Sequence, residues 1–423
     1  MSWEGVVFAY LPGHSDAVPA GRLTLFEDGL EPVGSTFGFG ARYLKRPNAI
    51  PIDPVSLPLG SRPGMERLYE PPARLPMFGA VRDAAPDHWG RRVIEAKLRV
   101  PPNSLPESMY LLNAGDHRFG ALDFRESPTA GPSPGALPSI ADIRHLVDAA
   151  DRIQAGEPVP AHLEMIFGVG TLGGARPKAL VFRDGRAFLA KFPSRDDGFD
   201  VPVIERACLE LARQCELDVP ETDIVPLPDG RRVMLIERFD RERTTEGGHA
   251  RRHAVSALTM LGRHERESHN SSYAELAQVI SDFGVSGKVA KDRTEIFGRA
   301  AFNVLVSNDD DHLRNHAFVW DPAGRGWRLS PLYDVVPHPQ TATERRLHLS
   351  LGPLGRTATL ANLLESHGLF GLLRPEATAV IERVARIVRE WRTRFEALGV
   401  PPEQCDRVAS AFRSPRDVGR LST

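Results

Sequence analysis

The chain changes its patterning once, and that change limits the possible folds more than any other feature. From His253 onward nearly every apolar segment repeats at helical spacing, over Tyr273–Phe283, 294–307 and 359–412. Before it the apolar segments are short and strand-like. Val6, Phe8 and Tyr10 alternate with Val7 and Ala9, and strands are expected at 179–183, 187–192, 223–226 and 232–238. Helices interrupt this half at 84–98, after Ser139, and around Ile204, Cys208, Leu211 and Cys215. Ser139 with Asp142 three residues later is a helix-opening pair, and Ile140, Ile143, Leu146, Val147 and Ala150 form the stripe behind it. Strands gathered first and helices gathered last predict an α+β fold rather than an alternating α/β one.

Proline and glycine mark the breaks. The chain of 423 residues holds 37 glycines and 36 prolines, and the densest cluster is 126–138, with four prolines and two glycines. That composition predicts an extended connector. The expected organisation is therefore an amino-terminal subdomain over 1–125, a linker over 126–139, a β-rich lobe over 140–240 and a helical lobe over 241–423. A net charge of −2 gives no reason to expect direct nucleic-acid binding. No apolar run approaches the roughly 18 residues of a membrane span, so no membrane association is expected. Glu4 and the early Pro12-Gly13 argue against a secretory leader. Cys208, Cys215 and Cys405 have neither zinc-ligand nor disulfide-framework spacing. A soluble, cytoplasmic protein is expected.

Chemistry concentrates in Asn308-Asp309-Asp310-Asp311-His312-Leu313-Arg314-Asn315. Three adjacent carboxylates repel one another, and solvent or a divalent cation relieves the repulsion most simply. Asp310 and Asn315 have the spacing of the base and the metal-binding amide in a kinase catalytic loop. A second metal carboxylate is then needed beside Asn315. A hairpin over 316–331 that sets Trp320 opposite Leu329 carries its register to Asn315 opposite Asp334, which makes Asp334 the candidate.

Upstream, Gly168, Gly170, Gly173 and Gly174 precede Ala175-Arg176-Pro177-Lys178. The stretch matches neither the P-loop pattern nor a dinucleotide site in its proper strand–turn–helix setting, and alone it reads as a turn. Lys191 lies between apolar neighbours on a predicted strand. It is either an edge lysine whose head reaches water or a phosphate-orienting lysine paired with Glu205 of the next helix. Glu237, Arg238 and Phe239 fall where strand gives way to helix. A hinge there would offer the backbone of Glu237 and Phe239 to an adenine edge, while Glu237 and Asp240 also suit ordinary surface ion pairs.

Taken together, these motifs resemble the HipA family of bacterial serine/threonine kinases, the toxin halves of toxin–antitoxin modules. The resemblance runs through Tyr43-Leu44, Leu57-Pro58, the segment Pro86-Asp87-His88-Trp89-Gly90-Arg91, the run from Gly173 to Lys178, the motif Glu237-Arg238-Phe239-Asp240-Arg241, the acidic loop and Leu332-Tyr333-Asp334. It implies a protein-kinase-like two-lobe fold with an extra β-rich amino-terminal subdomain and an all-helical C-lobe. It also implies ATP and Mg2+ as cofactors, Asp310 as base, and Asn315 and Asp334 as magnesium ligands. Lys191 would bind phosphate and pair with Glu205. Gly173, Gly174, Ala175, Arg176, Pro177 and Lys178 would form the phosphate loop, Glu237, Arg238 and Phe239 the hinge, and His312 a nucleotide-side residue. Thr171 matches a serine that family kinases autophosphorylate to shut themselves down. The implied partners are a protein substrate, among which aminoacyl-tRNA synthetases are best known, and a helix-turn-helix antitoxin of HipB type that reaches DNA on the kinase's behalf. Two departures, His88 for a glycine and Glu216 for a helix-ending glycine, concern turns. A small-molecule or lipid kinase on the same scaffold, and an ATP-binding co-repressor without transfer, are the alternatives.

Overall fold

Strand β1 (Ser2–Tyr10) carries the apolar run at the amino terminus, and its last six residues are all buried, so both faces of the strand are covered. It pairs antiparallel with β2 (Ala17–Asp28), which pairs with β3 (Glu31–Phe39). The sheet is completed by β4 (Leu68–Tyr69) and β5 (Leu122–Arg125) in the order β4-β3-β2-β1-β5. Only glycine fits at position 21, where a Cβ would lie 2.3 Å from the Phe37 ring and 2.4 Å from a backbone carbonyl. The computed structural model describes residues 1–59, 67–72, 75–115, 117–132, 138–168, 174, 176–243 and 249–414.

Two units divide the chain, each made of two stretches. Unit 1 is Met1–Ser194 with Leu235–Val255, and unit 2 is Arg195–Met234 with Ser256–Thr423. In unit 1 the single helix expected at 84–98 is two helices, Gly79–Ala84 and His88–Leu98. Pro86 is the reason: it forces Ala85 into an extended conformation (ψ 154°). Asp87 then caps the second helix by accepting from the Gly90 N–H at 2.6 Å. His88 is an exposed first residue of that helix, a position any residue can fill. Ser139 and Asp142 form the expected capping box around one 3-10 turn, followed by the helix Ile143–Ala155 with Ile143, Leu146, Val147 and Ala150 buried.

β6 (Lys178–Arg183) and β7 (Arg186–Lys191) form a hairpin whose register runs from Arg183 opposite Arg186 to Lys178 opposite Lys191. Asp184 and Gly185 turn it with positive φ at both positions (52° and 71°), the turn that matches strand twist. The chain then enters unit 2 with the helix Val201–Gln214, capped by Asp200. Glu216 ends that region at φ 65°, the left-handed region where glycine is favoured and another residue costs about 1 kcal/mol. β8 (Thr222–Pro226) follows, and β9 (Arg232–Glu237) carries the chain into unit 1, where β10 (Arg241–Arg243) pairs with β11 (His249–Arg251). The boundary to the second stretch of unit 2 passes through β12 (Ala254–Ser256).

That stretch is mainly helical. Tyr273–Phe283 has the bounds read from sequence, with Ser272 and Glu275 as its capping box. Val289–Val306 begins five residues earlier than expected. The polar residues there do not mark a loop, because Asp292 is buried and held by two hydrogen bonds from Arg328, at 2.7 and 2.8 Å. β13 (Ala317–Asp321) and β14 (Gly326–Leu329) supply a hairpin within this helical part.

The hairpin corrects the predicted register by two residues: Trp320 faces Trp327, not Leu329. Asp321 is responsible, since its carboxylate accepts from the N–H groups of Ala323 and Gly324 (2.9 and 3.0 Å) and tightens the turn. Asp334 is therefore not a ladder partner of Asn315. Among the described residues no helix is long and apolar enough to cross a membrane.

Candidate active site

In unit 2 the helix Val289–Val306 stops at Ser307, which takes a left-handed conformation (φ 52°) and turns the chain into the acidic loop. The three aspartates point to three different environments. Asp309 is half-buried, and its two oxygens take hydrogen bonds from His338 and Gln340. Asp311 is buried at 1% exposure and accepts from the Tyr273 hydroxyl, from Asn303 Nδ2 at 2.8 Å and from His316 Nε2 at 3.0 Å. Asp310 is exposed, and its carboxylate makes no hydrogen bond or ion pair with any described residue. Repulsion is thus relieved by divergence, and one of the three is left available.

The backbone of Asp310 is fixed even though its side chain is not. Its carbonyl accepts from the His312 N–H at 2.8 Å and from Asn315 Nδ2 at 3.1 Å. Asn315 is buried, and with its amide nitrogen committed its oxygen faces the other way. That oxygen is a hard neutral donor. The segment before Asp334 is tied to this loop by another route than the ladder. The last rung joins Ser330 N–H to the Ala317 carbonyl, the Leu332 N–H then bonds the Asp218 carbonyl, and the Tyr333 hydroxyl donates to the Arg314 carbonyl at 2.8 Å. Asp334 follows with φ 59°, a strained conformation for a non-glycine residue. The donor chemistry of Asn315 and Asp334 suits Mg2+, which takes one or two protein oxygens and completes its shell with water and phosphate. Among the described residues there is no group of three or more His, Cys, Asp or Glu side chains that could hold a metal by itself.

Asp311 is the residue that sequence reasoning passed over. Burial alone would raise its pKa, but the His316 charge and the hydrogen bonds from His316 and Tyr273 outweigh burial and hold it below the ordinary value. Burial first, and Asp311 second, push the Tyr273 phenol far up, so it remains a donor. Asn303 links to both residues and also accepts from Asn308 at 3.1 Å. The readable signal was Asn303 itself, a lone amide among Phe302, Val304 and Leu305 on a buried helix. His312 is half-buried, with its ring edge-on to His348 at 5.9 Å, and its Nδ1 is buried without a partner.

Unit 1 holds the remaining candidates. Thr171, Gly173 and Ala175 lie outside the described residues. Gly174 has φ 114°, and a Cβ there would sit 2.8 Å from Lys178 Nζ. Arg176 is exposed, and the buried Pro177 accepts from the Phe192 N–H at 3.0 Å. Lys178 is 3% exposed and pairs with Asp87 at 3.0 Å, while the Trp89 indole N–H donates to the Lys178 carbonyl at 2.8 Å. Lys191 is half-buried at the end of β7; Glu205 is buried in the helix Val201–Gln214 of unit 2.

The expected hinge is an ion-paired turn. Glu237 takes two hydrogen bonds from Arg186, one of them at 2.7 Å. The buried Arg238 grips Asp240 and the carbonyls of His117 and Arg118, and Arg241 bonds the carbonyls of Arg118 and Gly120. Burial would raise the Asp240 pKa, yet Arg238 and Arg241 together drive it far below the usual carboxylate range. Asp240 is therefore a buried clamp and not a surface pair. With the Arg238 side chain so engaged, a nucleotide contact at this residue would fall to the backbone. Phe239 meets Phe119 edge-on at 6.1 Å.

Four likenesses bear on this arrangement. Residues 170–391 match the family model described as the HipA-like C-terminal domain. The Sinorhizobium fredii protein named "Putative kinase Y4mE" is 25% identical over 354 residues, 77% of each chain. The Shewanella oneidensis serine/threonine-protein kinase toxin HipA is 25% identical over 191 residues, 39% of this chain and 42% of that one. Among solved structures, a chain from the Shewanella oneidensis complex of HipA, HipB and operator DNA superposes with a TM-score of 0.65 at 18% identity, covering 97% of this chain and 95% of the other. That likeness shows the fold: the mixed helix-and-sheet, kinase-like architecture expected from the sequence.

Proposed function

The chain belongs to the family of the HipA-like C-terminal domain, and from that premise we propose that it is an ATP- and Mg2+-dependent kinase acting on serine or threonine hydroxyls of a cellular protein. The observation that carries the reading is the loop 308–315. It keeps one carboxylate, Asp310, exposed and unpaired while fixing its backbone through the same Asn315 whose amide oxygen is left for a cation. A nucleotide-binding co-repressor has no use for an available base in that position.

In this reading Asp310 accepts the proton of the attacking hydroxyl as the new O–P bond forms and the bond to the ADP oxygen breaks. Asn315 and Asp334 are the residues that would hold Mg2+, whose charge would offset that of the phosphates. The remaining roles are those the family resemblance implies: Lys191 for phosphate oxygens with Glu205 as its partner, Gly173 to Lys178 as phosphate loop, the backbone of Glu237 to Phe239 for the adenine, and His312 on the nucleotide side.

The partner reading follows the family: a helix-turn-helix antitoxin of HipB type neutralises the kinase in the cytoplasm, and DNA is reached only through it. Growth inhibition would follow from phosphorylating a target such as an aminoacyl-tRNA synthetase. Support comes from the solved relative, which is a toxin–antitoxin complex with operator DNA. The test is labelled phosphate transfer from ATP in a lysate of the host with Mg2+. Label in a protein band supports the reading, and label confined to low-mass extract favours the small-molecule alternative. No transfer to either rejects both.

Two further outcomes are expected. Lys191→Ala should raise the KM for ATP about tenfold, equivalent to ~1.4 kcal/mol. ATP titration and steady-state kinetics read this, and unchanged values would return Lys191 to an edge lysine. Thr171 should become phosphorylated on incubation with ATP and Mg2+, and Thr171→Ala should stay active. A phosphate there adds about −1.5 to −2 charges where ATP phosphates belong. Peptide mass spectrometry that finds other substrates modified and Thr171 bare would end that proposal.

A further inference from the structure

The segment Pro86–Arg91 stands out in the sequence but has no part in the chemistry described so far. Its position in unit 1 gives it one. Asp87 uses its two carboxylate oxygens for two tasks: Oδ1 caps the helix His88–Leu98 at the Gly90 N–H (2.6 Å), and Oδ2 holds Lys178 Nζ (3.0 Å). Trp89, two residues on, fixes the Lys178 backbone carbonyl (2.8 Å). One short segment therefore grips both ends of a residue 91 positions away in sequence.

Three features make this grip more than packing. Lys178 is the first residue of β6 and stands directly opposite Lys191 of β7, and like charges opposed across a ladder destabilise it. Asp87 neutralises one of the two. The Lys178 ammonium also lies against Gly174, where a Cβ would come within 2.8 Å of it. Finally, a buried ammonium is costly without opposite charge, and Asp87 supplies a carboxylate 3.0 Å from it.

We propose that Asp87 is a positioning residue of the nucleotide site: it fixes the Lys178 ammonium beside Gly174 at the head of β6, and so sets the place of a cation for phosphate. The proposal rests on the kinase reading and adds to it a role for the amino-terminal segment.

The test is a double-substitution cycle on ATP–Mg2+ binding in the full-length protein, with Asp87→Asn, Lys178→Met and both. Asn keeps the helix cap, since Asn and Asp cap about equally well. Once its single oxygen serves the cap, its NH2 group faces the ammonium. Asp87→Asn is expected to weaken ATP binding about tenfold (~1.4 kcal/mol), raising KM more than it lowers kcat. In the Lys178→Met background it should cost no more than about twofold further, because a residue acting through another has nothing left to act on. Asp87→Glu restores the charge and should recover part of the affinity.

A merely structural Asp87 would lower the melting temperature equally in all backgrounds and leave the ATP affinity of the folded protein unchanged. That result would overturn the proposal, as would full additivity with Lys178→Met. Should Asp87→Asn fold poorly, the Asp87→Glu and Lys178→Met pair decides it in the same way. A parent protein that binds no ATP–Mg2+ would instead reject the kinase reading itself, so the two failures are distinct.

Discussion

Asp310→Asn is expected to lower phosphoryl transfer by about 10²–10⁴-fold, the usual contribution of a positioned general base, with little change in thermal stability. The two halves of this expectation have separate physical sources. Asp310 has an exposed carboxylate with no partner among the described residues, so the amide replacement breaks nothing that holds the fold. The loop is held instead through the Asp310 carbonyl, which the substitution leaves to His312 and Asn315. An amide cannot take the hydroxyl proton, so the chemical step suffers alone. Asp334→Asn should reach a similar loss through weaker cation binding, and raising Mg2+ should rescue it in part, whereas Asp310→Asn should not respond. Phosphate incorporation, paired with a thermal melt, reads both. A folded Asp310→Asn protein with near-parental turnover would remove Asp310 from its role.

Asp311→Ala should do the reverse and cost stability first, by about 3–5 kcal/mol. The substitution leaves the Tyr273 hydroxyl, Asn303 Nδ2 and His316 Nε2 without their shared acceptor in a site closed to water. The pH dependence has a definite sign. The folded-state pKa of Asp311 is depressed relative to the unfolded chain, so its contribution is full above the unfolded value of about 4 and is lost as pH falls through the folded one. Asp311→Asn should therefore flatten the acid limb of stability. Denaturant unfolding between pH 3 and 7 measures it: parent and variant curves that stay parallel below pH 4 would show that Asp311 carries no such linkage.

Local pattern carried much of this architecture. β6 and β7 lie within one residue of their expected bounds because apolar alternation and Asp184-Gly185 act over a few residues. Tyr273–Phe283 was legible from its stripe and its Ser272 cap. The hairpin register was not, since one carboxylate in the turn, Asp321, shortens the loop and moves every pairing by two. Because the shift is even, each side chain keeps its face. The spacing of Asp310 and Asn315 was legible because both sit on one loop. The Asp311 network and the Asp87–Lys178 pair were not, because their members come from elements far apart in sequence, and nothing local records such meetings.

The clamp made by Arg238, Asp240 and Arg241 on the carbonyls of His117, Arg118 and Gly120 sets a timetable for the nascent chain. Its two sides are separated by 120 to 123 residues. At roughly 5–20 residues per second a ribosome needs on the order of ten seconds to deliver the second side after the first. During that interval Arg118 and Asp123 have emerged while the arginines that will bind this turn have not been made. Unit 1 also awaits Leu235–Val255, which follow a stretch belonging to unit 2. Truncated chains ending before residue 235 should thus be open to proteases around residues 117–120, and chains released beyond residue 255 should be protected there.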